Sequence, residues 1–118
     1  MKPGAGWCSD AEDSVHTFLD VRDMIFEWDK EKARSNLSKH GVTFLEATKV
    51  WDDPLHDLIF DRVVDGEERW WAIGRVEPGG ILIVVHVHPD PDDSRLVRLI
   101  SARRAMRHEQ GRYEDGSL

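Results

Sequence analysis

Arg98-Leu99-Ile100-Ser101-Ala102-Arg103-Arg104-Ala105-Met106-Arg107-His108-Glu109-Gln110-Gly111-Arg112-Tyr113 is the stretch on which the fold turns. A β-like run from Arg95 to Ile100 leads into it, and Ser101 has the side chain of a helix N-cap. Ala102, Ala105, Met106, Glu109 and Tyr113 then recur at the spacing of one helical face. The pattern predicts a last strand feeding a closing helix from Ala102 to about Tyr113. The same stretch carries five arginines and His108 in a chain of net charge −7. That balance excludes general adhesion to nucleic acid, because the field of the whole molecule repels a phosphate backbone. A local cationic patch still acts at contact range, inside a screening length of about 10 Å.

Upstream of this unit, β-like runs alternate with turn signals: Leu58 to Arg62, Asp65-Gly66, Glu68 to Val76, Pro78-Gly79-Gly80, Ile81 to His88, Pro89 to Asp93. This is the rhythm of an antiparallel meander. Before it come two short helices. Asp29 caps the first, which runs from about Lys30 to Lys39 after the β-like Ile25-Phe26-Glu27-Trp28 and stops at Gly41. Thr43 and Glu46 form a capping box for the second, with Ala47, Val50 and Trp51 on its buried face and Asp52-Asp53-Pro54 as its end. The expected class is α+β: two short N-terminal helices, an antiparallel sheet of about four to five strands and a C-terminal helix.

Length and composition fit one domain, since 118 residues with five tryptophans suffice for a core. We expect it at residues 24–118, preceded by an extension, 1–23, that is either unstructured or a short helix capped by Ser9 to Glu12 with Val15, Phe18 and Leu19 on one face. The longest apolar run, Ile81 to Val85, is too short to span a bilayer, and no secretory leader is evident, so the expected location is cytoplasmic and off the membrane. Cys8, the single cysteine, cannot form an internal disulfide and reads as an incidental thiol.

Several side chains stand in patterns that suit chemistry. Lys32, Asn36 and Lys39 share a stripe on the first helix, beside an apolar side carrying Ala33 and Leu37, with His40 between them. His40 there either meets a substrate or is satisfied by the last carbonyls of its helix. Arg69, Trp71, Ile73 and Arg75 take one face of a strand, where Gly74 admits a close neighbour and guanidinium beside indole suits phosphate and base together. His86 and His88 share a strand face that can bind a divalent ion, but no third ligand follows from spacing, and sheet packing is the stronger reading. Arg98 lies with Leu96 and Ile100, while Arg103 with Arg107, and Arg104 with His108 and Arg112, form two helical stripes. Glu109 either salt-bridges Arg98 or Arg75 or neighbours Tyr113, a proton donor or base-stacking group.

Taken in order, Phe26-Glu27-Trp28-Asp29, Lys32, Asn36, Lys39-His40-Gly41-Val42-Thr43-Phe44, Glu46-Ala47, Glu67-Glu68-Arg69, Ile73-Gly74-Arg75 and Ile100-Ser101-Ala102-Arg103-Arg104-Ala105 with Glu109 and Tyr113 resemble the BrnT toxins of BrnT/BrnA type II toxin–antitoxin systems. The resemblance spans Met24 to about Glu114. It implies a RelE-like ribonuclease that inhibits translation by cutting RNA without a metal or other cofactor. It also implies a BrnA-like ribbon-helix-helix antitoxin, a heterotetrameric complex, and operator DNA bound only through that antitoxin.

Cleavage of this kind needs a base for the 2′-hydroxyl, cations on the developing phosphorane and a proton for the leaving oxygen. The expected assignments are Arg75 and Arg103 on the phosphate, Lys39 or His40 as base, and Tyr113 as acid or stacking contact. Arg98, Arg107 and Trp71 are expected to hold substrate, and Arg104, Arg107 and Arg112 to be available to the antitoxin. A non-catalytic module that uses the basic C-terminal helix to bind RNA or an acidic protein is the alternative. Gly111 and the acidic turn Pro89 to Asp93 depart from the family pattern.

Overall fold

In the computed structural model of the chain, residues 16–21, as backbone, and 23–115 are described. Strands β1 (His16–Val21) and β2 (Met24–Asp29) lead into helix α1 (Lys30–His40), helix α2 (Phe44–Thr48) and a 3₁₀ turn (Lys49–Asp52). The meander follows as β3 (Asp57–Val64), β4 (Glu67–Val76), β5 (Gly80–Val87) and β6 (Leu96–Arg104), closed by helix α3 (Arg107–Asp115). All six strands form one sheet in the order β1-β2-β6-β5-β4-β3. Every neighbour pair is antiparallel except β2 with β6, which run parallel through Ile25 to Glu27 and Leu96 to Arg98. The α+β class holds, with one strand more than expected and one parallel pairing.

Local signals explain most boundaries. The Asp29 carboxylate accepts the Glu31 N–H at 2.8 Å, and Gly41, at φ 70°, takes the left-handed turn that closes α1. Thr43 and Glu46 complete their capping box. Asp65 and Gly66 both have positive φ, as a two-residue hairpin of the I′ type between β3 and β4 requires.

Two expectations are corrected. Phe18 and Leu19 lie in β1, not in a helix: His16 to Val21 pair along the whole of β2, whose outer edge would otherwise leave its backbone groups open. The proposed cap at Ser9 to Glu12, with Val15 and Cys8, lies outside the described residues. The closing helix begins at Arg107 rather than Ala102, because β6 keeps its ladder with β5 as far as Leu82 opposite Arg104, after a bulge at Ile100. Ser101 is therefore a strand residue. The Glu109 carboxylate accepts the Met106 N–H at 2.8 Å, capping the helix five residues later than its sequence suggested.

The sheet is covered on both faces. Phe26, Phe44, Ala47, Val50, Leu82, Val84 and their neighbours form the larger core, beneath α1 and α2. On the reverse face Ile73, Ile81 and Ile83 pack with Ala105 and Tyr113, beneath α3. Helix α1 is seated by an amide rather than a leucine. Asn36 is 5% exposed and Leu37 48%, reversing the expected sides. The reason is the edge of β6 beyond its short pairing with β2: Asn36 Nδ2 donates to the Ala102 carbonyl at 2.8 Å, and its Oδ1 accepts the Ala102 N–H at 3.0 Å. The side chain stands in for a missing strand.

Candidate active site

The face of the sheet beneath α3 collects the chemistry. Alternation along β4 places Arg69, Trp71, Ile73 and Arg75 on that face, and the β4–β5–β6 register brings Arg103 level with Ile83 and Ile73. A Cβ on Gly74 would fall 2.9 Å from the Val50 side chain and 3.1 Å from the Val50 carbonyl, so the close neighbour it admits is the 3₁₀ turn. That approach delivers Asp53 to the site. Its Oδ2 accepts the Arg75 N–H at 2.7 Å and also the hydroxyl proton of Tyr113, which reaches it from α3. The Arg75 guanidinium lies 6.0 Å from the Tyr113 ring centre and donates to Glu114 at 3.3 Å.

These contacts set the protonation states. Burial pushes the Asp53 carboxyl up, but the bonds it accepts from Arg75, Tyr113 and Leu55 together bring it below the usual range. Tyr113 moves the other way: burial first, then the carboxylate it donates to, raise its pKa and keep the phenol protonated. Arg103 and Glu109 form a two-pronged pair at 2.9 and 3.0 Å, with the guanidinium 5.6 Å from the Trp71 ring centre. The bond to Arg103 holds Glu109 below its ordinary value, and Glu109 in turn raises Arg103.

Arg75, Arg103, Tyr113 and Trp71 are thus brought to one face. The partner of Glu109 is Arg103, not Arg98 or Arg75. Lys39 and His40 are exposed in the last turn of α1, one turn past Asn36, on the helix that covers the opposite face. Among the described residues no hydrogen bond or ion pair joins them to either arginine. Arg98 is withdrawn from the surface: it is 7% exposed and paired with Glu27 at 3.3 Å and Glu67 at 3.2 Å. It therefore does not offer itself to substrate. Arg107 is exposed in the first turn of α3, but it shares no helical stripe with Arg103, which is on β6; Arg104 likewise parts from His108 and Arg112 and donates to the Gly79 carbonyl. His86 and His88 stack edge to face at 5.0 Å, and no group of three metal-ligating side chains occurs among the described residues.

A family profile described as the ribonuclease toxin BrnT of a type II toxin–antitoxin system matches residues 28–109. The chain belongs to the BrnT family. Among solved structures, it is similar to the Brucella abortus ribonuclease toxin BrnT, a crystal structure at 1.1 Å, with a TM-score of 0.50 and 27% identity over 68% of this chain and 94% of that one. No curated protein matches. The BrnT match takes in Lys39, His40, Arg75, Arg103 and Glu109, and stops before Tyr113. It also contains Asp53, which sequence reasoning took only as the end of a helix. Nothing local in the sequence links that residue to a tyrosine 60 positions later.

Among the described residues, no helix is long and apolar enough to cross a membrane.

Proposed function

We propose that this BrnT-family chain is an endoribonuclease that cuts RNA without a metal, by attack of a 2′-hydroxyl on the adjacent phosphorus. The observation that carries the reading is the convergence of Arg75, Tyr113 and Asp53 beside the Arg103–Glu109 pair on one sheet face. Arg75 and Arg103 stabilise the charge that grows on the phosphorane. Asp53 keeps the Tyr113 phenol protonated, so it serves as the donor to the departing 5′-oxygen, or as a stacking surface for a base. Lys39 and His40, on the helix over the opposite sheet face, stand outside this corner, so the 2′-hydroxyl gives its proton to water. The bond from 2′-oxygen to phosphorus forms as the bond to the 5′-oxygen breaks, leaving a cyclic phosphate. Trp71 and Arg107 hold the flanking RNA.

In the cell the reading is of a cytoplasmic toxin that stops translation and is neutralised by a BrnA-like ribbon-helix-helix antitoxin in a heterotetramer, with operator DNA bound through the antitoxin. Exposed Arg104, Arg107 and Arg112 suit an acidic antitoxin segment. The test is cleavage of RNA by the purified, antitoxin-free protein in excess chelator. Product is expected from the wild type and not from Arg75→Ala. Undiminished cleavage by that variant would refute the site, and cleavage abolished by chelator would refute the metal-free route.

A further inference from the structure

Helix α3 covers only part of its sheet face. Beside it lies a concavity of about 330 Å³ whose border includes Arg62, Arg69, Trp71, Ser101 and Arg103. Arg69 is the outlier there. Asp61 pairs with Arg62 and Glu109 with Arg103, but among the described residues no carboxylate is paired with Arg69. Its Nε is buried with no hydrogen-bond partner. The side chain as a whole is half-buried, and with no carboxylate on it an anion can meet its guanidinium without breaking a salt bridge. Trp71 also borders a second concavity, of about 270 Å³, lined by Ile59, Ile73 and Ile83 with His108 and Arg112 at its rim. A basic basin and an apolar one therefore share an indole wall, next to Arg103.

We propose that Arg69, aided by Arg62 and Ser101, forms a second phosphate subsite, which takes a further backbone phosphate of the same strand while a neighbouring base lodges against Trp71. The inference rests on the ribonuclease reading above and extends it: the substrate is a single-stranded oligonucleotide held at more than one phosphate. Guanidinium forks match phosphate oxygens, and aromatic surface beside them takes a splayed base. An acidic peptide would meet the charge, but its carboxylates would not set a flat base on the indole beside a guanidinium fork.

The test uses the full chain and an eight-nucleotide 2′-O-methyl RNA, which lacks the attacking hydroxyl and so reports binding without cleavage. Arg69→Gln should weaken binding about tenfold. It should also lower the salt slope of log Kd by about 0.7, the signature of one phosphate contact on a single strand. Arg69→Lys should recover part of both. With the cleavable octamer, Arg69→Gln should raise KM and leave kcat unchanged, and a dinucleotide should be cut equally by both proteins. Wild-type binding and salt slope in Arg69→Gln would overturn the subsite, as would a kcat loss on the dinucleotide. A wild type that cuts neither RNA would instead refute the ribonuclease reading itself.

Discussion

His86 is fully buried in β5, edge-on to Trp51 at 5.0 Å and to His88 at 5.0 Å, and its Nε2 has no hydrogen-bond partner. Protonation would place a charge and an unaccepted N–H in that packing. Burial first, then the fields of His88 and His56, push its pKa from 6.5 down to about 3. The folded state thus stays unprotonated over a range in which the unfolded chain takes up a proton. Between those two pKa values the unfolded state binds more protons, so stability falls as pH falls. Integrating the linkage relation from pH 7 to pH 5 with an unfolded value of 6.5 gives a loss of about 2 kcal/mol from this one residue. The result holds for any folded pKa well below 5. His86→Leu nearly conserves volume and removes the titration. Urea denaturation of both proteins at a series of pH values isolates the effect, because His88, His56 and all carboxylates are common to the pair. The stability of the variant relative to wild type should rise by about 2 kcal/mol between pH 7 and pH 5. Parallel pH curves would refute the reasoning and mean that the ring is reached by water or finds an acceptor.

Asn36→Ala strips both backbone groups of Ala102 of their partner and should cost about 3 kcal/mol in urea denaturation, far above an ordinary helix substitution. Arg98→Met leaves the buried Glu27 carboxylate without its guanidinium and should destabilise by about 3–5 kcal/mol, while adding Glu27→Gln should return much of that loss in the same assay. Tyr113→Phe keeps the packing against Ile73 and Ile81 but removes the proton donated to Asp53, so kcat for RNA should drop about 100-fold or more while the thermal midpoint falls only by the several degrees that one charge-assisted hydrogen bond is worth.

Much of the framework is legible without coordinates because its signals are local. Asp29, Gly41 and the Thr43–Glu46 box act within one helical turn, and the alternation along β4 sets Arg75 and Trp71 on one face by the geometry of the strand alone. What escapes is decided by partners distant in the chain. Ala102 to Arg104 have the pattern of a helix start, yet the β5 backbone claims them, and a ladder of hydrogen bonds outweighs a propensity of a few tenths of a kcal/mol per residue. Arg98 looks like a surface cation until Glu27, paired by register from the other end of the chain, encloses it. Asp53 enters the site only because Gly74 lets the 3₁₀ turn close on β4.

The central place of β6 bears on how such a protein is made. Strand β2 has no partner besides β1 until Leu96 to Arg98 exist, and Arg103, Glu109 and Tyr113 all come later still. A nascent chain, or one ended early by a stalled ribosome, has Arg75 but neither its phenol nor its second guanidinium. The sheet that aligns them is also still missing its middle. The corner of Arg75, Asp53 and Tyr113 therefore assembles only once Tyr113 has been made, and on the ribonuclease reading proposed above fragments cut short of Arg103 should not cut RNA.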